Sequence, residues 1–339
     1  MSDHNPIYHL KDAYFFEVPK PMWRQGYESY DDVPGFLKAP FEGEGREMPS
    51  LAEFNEAMDG KILIPQPFAE LDSLYAVKNG FGISKFMILE IVLAAILLVL
   101  FTRLARLLSS GDPPQGRFAN FFEAFVMFIR DSIARPAIDS HDDHGGESGH
   151  GGGAAAAAVP LAHEGDRFVP LLLTLFFFVL GCNLLGMVPW AGSPTASFSV
   201  TLALAAVTFG TVVVAGMMRF GVVGFFTNQV PSMDLPLPLA ILLKPMIFAI
   251  EMLGLCIKHL ILAVRLLANM VAGHLVLLGI MGLITAAASY STGMWATVTG
   301  ISVVSSTLFS VLELFVAFLQ AYIFTFLSAL FIGASVHQH

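Results

Sequence analysis

Residues 261–278 read ILAVRLLANMVAGHLVLL. This is apolar, helix-compatible sequence with a single arginine, Arg265, and no other charged residue in the run. It sits inside a longer apolar segment, Leu239–Ala288, whose other charges are Lys244, Glu251 and Lys258. A second segment, Thr297–Val336, carries one charge, Glu313. As single helices at 1.5 Å per residue the two would measure roughly 75 Å and 60 Å. The bilayer core is only about 30 Å thick. No Pro-Gly turn breaks either segment after Pro245. The expectation is a pair of long, strongly tilted membrane helices forming a hairpin through Ser289–Ala296.

The composition of the whole chain agrees with a membrane protein. Of 339 residues, 55% are hydrophobic and 13% charged, and the mean hydropathy is +0.68. A soluble domain carries about 25% charged residues, so a soluble enzyme, a disordered chain and a nucleic-acid binder are excluded. The net charge of −9 describes mainly the front, because most charged residues lie before position 145. Cys182 and Cys256 both sit in apolar runs and build neither a disulfide framework nor a CxxC metal site.

Working outward from the hairpin, residues 167–219 read as two spans. Phe168–Met218 is free of charge and is interrupted by Pro189, Gly192, Ser193 and Pro194; Arg219 closes the second span, and 220–238 reads as a loop. Residues 85–108 form a first span whose only charge between Phe86 and Thr102 is Glu90. Residues 109–136 follow, with Phe118, Phe121, Phe122, Phe125, Phe128 and Ile129 at spacings of three and four. That is the apolar stripe of an interfacial amphipathic helix, ended by Pro136. The linker 137–166 contains DSHDDHGGESGHGGG and an alanine run. His141, His144, His150 and His163 with Asp142 and Asp143 have metal-ligating chemistry, but glycine-rich sequence supplies no fixed ligand geometry. It reads as a solvated linker, and no metal site or cofactor is expected. Residues 1–84 read as an extramembrane region without a signal peptide, with Phe15, Phe16, Trp23 and Tyr27 supplying local packing. The fold class is thus an all-α polytopic membrane protein, with five membrane-embedded helices and one interfacial helix.

Basic residues set the orientation. Beyond residue 86 they gather in the linkers and the first part of the long helix, Arg265 excepted, and the turns at Met187–Ser199 and Ser289–Ala296 contain none. The N-terminal region is therefore expected outside and the C-terminus in the cytoplasm.

A charge deep in the membrane costs on the order of 3 kcal/mol, so it marks function by default. Arg265 keeps its proton under all conditions. It is a fixed positive charge that attracts a carboxylate and repels a travelling cation, and it cannot relay protons. Asn269 lies one turn on along the same face, with Lys258 and Glu251 seven and fourteen residues back. His274 points to the opposite side. On the partner helix Glu313 and Gln320 share a face, seven residues apart. A register that sets Arg265 level with Gln320 sets position 272 level with Glu313, near His274. Both His274 and Glu313 can then exchange protons. Taken alone, Glu251, Lys258 and His259 also fit snorkelling or interfacial roles, and Gln320 and Asn183 fit helix-to-helix glue. On the residues alone three functions stay open: an ion-path subunit, a secondary cation transporter, or a membrane anchor of a respiratory complex.

LLANMVAGHLVLL after Arg265 resembles the signature of subunit a of the bacterial F-type ATP synthase. FVPLLLTLFFFVLGCNLLGMVP with PTASFSVTLALA, LQAYIFTFLSALFIG and PPQGRFANFFEAFVMFIRDSIARP are similar to further segments of that family, in the family's order, over roughly 85–336. The resemblance implies two aqueous half-channels serving carboxylates of a c-subunit ring, kept apart by Arg265. Gln320 and Asn269 match the residues beside that arginine. His274 and Glu313 match the outer half-channel pair, in the order opposite to many bacterial members. Glu251 matches an acid near the inner half-channel, and Asn183 a polar position of the outer one. Ala268 stands where the family usually has glycine. The resemblance further implies b-type peripheral stalk subunits as partners and no catalysis by the chain itself. It also implies a bacterial inner-membrane location and protons as the default coupling ion, with sodium the alternative. Residues 1–84 and the His/Gly linker have no clear counterpart in the family pattern.

Overall fold

The computed structural model describes residues 12–18, 26–38, 49–108, 116–139, 164–188, 191–229 and 237–336. Trp23 and the histidines and aspartates at 141–144, 150 and 163 lie outside the described residues. Among the described residues five helices are long and apolar enough to cross a membrane, and the protein is an all-α polytopic membrane protein in its apolar part. The chain divides into two compact units. One comprises Met1–Ile96, Gly181–Val200 and Leu267–Phe315; the other comprises Leu97–Leu180, Thr201–Leu266 and Val316–His339.

In the first unit the N-terminal region forms a small domain. Strand β1 (Phe15–Glu17) precedes a single turn α1 (Gly35–Lys38) and helix α2 (Leu51–Met58), and strands β2 (Lys61–Leu63), β3 (Ala69–Ser73) and β4 (Ala76–Gly80) follow. β1 pairs antiparallel with β2, and β3 with β4. Phe15, Val33, Leu37, Phe54, Leu63 and Leu71 make its core. Ser50 starts α2 with a capping box: its hydroxyl accepts from the Glu53 backbone N–H, and Glu53 accepts from the Ser50 backbone N–H. The domain closes directly on the membrane span. Lys85 donates its backbone N–H to Ala13 O at 2.8 Å, and Phe86 donates to Asp12 Oδ1 at 3.3 Å.

Helix α3 spans Lys85–Leu108. Helix α4 (Arg117–Phe128) runs into a π-helical stretch, Ile129–Ala134, and then into α5 (Arg135–Ile138). The sequence expectation ended this segment at Pro136; the structure carries it to Ile138. The wider π turn, in which Arg135 N–H reaches back to Arg130 O, resets the register. Pro136 then stands in the first turn of α5, where a missing N–H removes no helical bond. The phenylalanine stripe is also divided. In the second unit the Phe122 and Phe125 rings stack on Phe177, and Phe125 also on Phe176. Phe118 and Phe121 stay exposed.

Helix α6 (Val169–Gly186) and helix α7 (Phe198–Asn228) form the central spans. α7 closes its first part just beyond Arg219, near the expected span end, and its second helical part, up to Asn228, lies in the expected loop. It breaks at Gly221, where φ is 76°, a conformation open to glycine at little cost. Helix α8 covers Leu237–Ala287 and α9 covers Thr292–Val336. The turn is shorter than expected because Ser291 starts α9 early, its hydroxyl accepting from Met294 N–H at 3.4 Å. At 51 residues, α8 is roughly 76 Å long, too long to stand upright in a bilayer core. In the second unit α9 approaches α5 closely: a β-carbon on Gly333 would lie 2.2 Å from Ala137 O.

Candidate functional site

In the first unit, the end of α6, the following turn, α8 and α9 surround a cavity of about 520 Å³ lined by His274, Glu313, Ser193, Ser310, Lys85 and Glu17 among others. Gly273 gives it its shape. An ideal β-carbon there would stand 2.6 Å from Glu313 Oε1, so the absent side chain lets the carboxylate lie on the α8 backbone. The register assumed from sequence set position 272 level with Glu313; the carboxylate lies against residue 273. Glu313 is buried, and neither its Oε1 nor His274 Nε2 has a hydrogen-bond partner among the described residues. Buried polar atoms without partners are costly, and a cavity of this size holds water where polar groups face it. Two titratable side chains thus share one pocket with unspent hydrogen-bonding capacity.

Asn183, fully buried, accepts a hydrogen bond from Thr195 Oγ1 at 3.0 Å, and Thr195 is 3.2 Å from Ser193 Oγ. The carboxamide ties the end of α6 to the turn that lines the cavity. Asn269 is half-buried on α8, and Ala268 is exposed.

In the second unit Arg265 is half-buried on a face whose neighbours Leu262, Ala263 and Leu266 are buried. No carboxylate lies within ion-pair distance of it among the described residues. Gln320 is buried, and its Nε2 has no partner there; no hydrogen bond joins it to Arg265. Glu251 and Lys258 approach to 3.9 Å with both side chains about half exposed, and such a pair is worth at most about 1 kcal/mol. His259 differs from the snorkelling reading. It is buried, its ring 5.2 Å from Phe209 and 4.9 Å from Phe331, with Nδ1 bonded to Leu255 O at 2.9 Å.

Two cavity residues escaped the sequence reading. Glu17 comes from the N-terminal domain, and Lys85 reads from the sequence as the edge of a span. Lys85 is 4% exposed, its ammonium over the Phe86 ring. The sequence signal was a lysine directly preceding an apolar run, which is more often a solvated boundary. Outside the membrane, burial pushes the Asp12 carboxyl above its usual range despite bonds from Ser84, Phe86 and Ala13. Burial lowers the Lys61 ammonium, partly offset by Glu17. The bond to Asp166 raises the Arg135 guanidinium. Among the described residues no group of three potential metal ligands occurs.

The ATP synthase A chain family matches residues 154–333. ATP synthase subunit a 2 of Chlorobaculum tepidum is 33% identical over 94% of this chain and 85% of its own length. ATP synthase subunit a of Chlorobium phaeobacteroides is 35% identical over 87% of this chain and 78% of its own. That of an Anaeromyxobacter species is 33% identical over 98% and 70%, respectively.

Proposed function

The chain belongs to the ATP synthase A chain family, a multi-pass membrane subunit of the F-type enzyme, and from that premise we propose that it carries protons through two half-channels separated by Arg265. The observation that carries this reading is Arg265 itself: a permanent cation on an apolar helix face with no carboxylate partner among the described residues. Its counter-charge is supplied from outside the chain, by the carboxylate of each passing c-subunit. A protonated carboxyl group brought opposite a guanidinium gives up its proton, because the positive charge favours the ionised form, and the same guanidinium blocks a cation from crossing directly between the half-channels.

His274 and Glu313 bind and release the proton in the outer half-channel. Asn183 holds the turn that forms one wall. Gln320 and Asn269 flank the arginine, and Glu251 serves the inner half-channel. Each elementary charge moved through 100 mV releases about 2.3 kcal/mol, and a leak past Arg265 would dissipate it. The chain's own chemistry is proton transfer; ATP chemistry belongs to other subunits. A c-ring and b-type stalk subunits are its partners, the bacterial inner membrane its site, with the N-terminus outside and the C-terminus in the cytoplasm. The proton is the coupling ion.

The test is ATP synthesis in inverted membrane vesicles under an imposed proton gradient, comparing wild type with Arg265→Ala at equal yield of assembled complex. Synthesis is expected to vanish. Wild-type synthesis in the assembled variant overturns the reading.

A further inference from the structure

The cavity holding His274 and Glu313 is walled in part by the extramembrane domain, and that domain brings its own charges to it. Glu17 lines the cavity from β1 and Lys85 from the head of α3. Neither position is loosely held. β1 is pinned by Phe15, which is 1% exposed, and by pairing that sets Glu17 opposite Lys61. Val18 N–H donates to Gly60 O at 2.8 Å just beyond it. Lys85 is fixed through its backbone bond to Ala13, and its ammonium fits against Gly192. A β-carbon at Gly192 would lie 3.0 Å from Lys85 Nζ, and the residue's φ is +77°. A buried ammonium is costly unless compensated, and here the backbone is shaped to admit one.

Among the described residues, charges gather around Glu17 from several elements. Lys61 lies opposite on β2, and Lys85 heads α3 with Asp12 beside it. Glu313 and His274 line the same cavity from α9 and α8. The two lysines beside Glu17 make the approach unfavourable for hydrated metal cations. A proton, moving along water and a carboxylate, is not excluded in this way. Resting on the half-channel reading above, we propose that Glu17 is the first proton-binding group on the way to His274 and Glu313, and that Lys85 sets how readily it fills. The extramembrane domain then forms part of the proton inlet. The proton bound by the Glu17 carboxylate passes through cavity water to Glu313 or His274, leaving Glu17 ionised for the next.

The experiment uses the intact complex in inverted vesicles, where the N-terminal domain faces the lumen. The synthesis rate per assembled complex is measured against lumen pH. Glu17→Gln is expected to move the half-maximal lumen pH down by about one unit, a roughly tenfold higher proton requirement. Glu17→Asp is expected to return the midpoint to that of wild type. Lys85→Gln is expected to move it upward, because a repulsive charge is removed. Damage to the fold alone lowers the rate at every pH and leaves the midpoint in place. A Glu17→Gln midpoint equal to wild type overturns the proposal, as does a Lys85→Gln shift in the same direction as that of Glu17→Gln. His274→Ala and Glu313→Gln in the same membranes separate the two levels of argument. If both keep full synthesis, the half-channel reading itself fails. If they lose synthesis while the Glu17 midpoint stays put, only the inlet is wrong.

Discussion

Gly273→Ala isolates the contact between α8 and the Glu313 carboxylate. A β-carbon at 273 would stand 2.6 Å from Glu313 Oε1, whereas ordinary contact begins at 3.4 Å. The carboxylate must therefore retreat by about 0.8 Å, the difference between those two distances. Displacing a reacting group by 1 Å costs up to about 100-fold in rate. A shift of this size at a flexible side-chain end points to a loss of about tenfold, or 1.4 kcal/mol of barrier. Weakening of the helix does not explain such a loss, because Ala in place of Gly adds about 1 kcal/mol of helix propensity. The control is Gly279→Ala on the same helix, where a β-carbon meets nothing within 4 Å. ATP synthesis in inverted vesicles, per assembled complex, is expected to fall about tenfold for the first variant and to stay at the wild-type level for the second. Equal, undiminished rates in both would refute the reasoning that the position of Glu313 limits proton transfer. Equal losses in both would show that the helix, not the carboxylate, is being perturbed.

Two further outcomes follow from the extramembrane domain and its junction. Ser50→Ala removes the capping box of α2 and is expected to cost about 1 kcal/mol, read as roughly fivefold faster amide exchange over 51–58 in the intact complex. Its bonds to Ser50 hold the Glu53 carboxyl below its usual range. This contribution is therefore full above the ordinary glutamate value and is lost as pH falls toward the lowered one, so wild-type exchange over 51–58 should speed up on acidification while Ser50→Ala changes less. Gly192→Ala forces a left-handed backbone on alanine, about 1–2 kcal/mol, and drives a β-carbon to 2.9 Å from the Phe86 ring. The thermal midpoint of the purified complex should drop, whereas Gly210→Ala, on a helix and with open space around it, should not lower it.

The membrane part was legible because long apolar runs and isolated charges are signals that need no partner to be read. Arg265, Glu313 and Gln320 stood out against uncharged surroundings, and the length of α8 and α9 followed from the lack of a breaker. What escaped depended on distant contacts or on local backbone adjustments. β1 and β2 are three residues each, too short to show a period of two. Their pairing joins segments far apart in sequence, so Glu17 could not be placed beside His274 and Glu313 from spacing. Pro136 is normally a terminator, and only the preceding π turn makes it a helix start. Arg219 reads as a span end, and the helix does break two residues beyond it at Gly221; the second helical stretch, up to Asn228, falls where the sequence reads as loop. His259 has the chemistry of an interfacial residue; Phe209 and Phe331, which bury it, lie 50 and 72 positions away in the chain.

The junction at Lys85 also dictates an order of events during synthesis. Asp12 receives the Phe86 N–H across a separation of 74 residues, and closing a loop of that length costs about 4 kcal/mol of chain entropy. At ordinary translation rates, roughly 4–15 s pass between the emergence of the two partners. The N-terminal residues must therefore wait until the head of α3 has been made before these bonds can close. A fragment ending at Ser84 would lack the Lys85 and Phe86 backbone donors and would leave the Ala13 and Asp12 acceptors without those bonds. The extramembrane domain is on this account a late-closing structure, completed only once its own membrane anchor has been made.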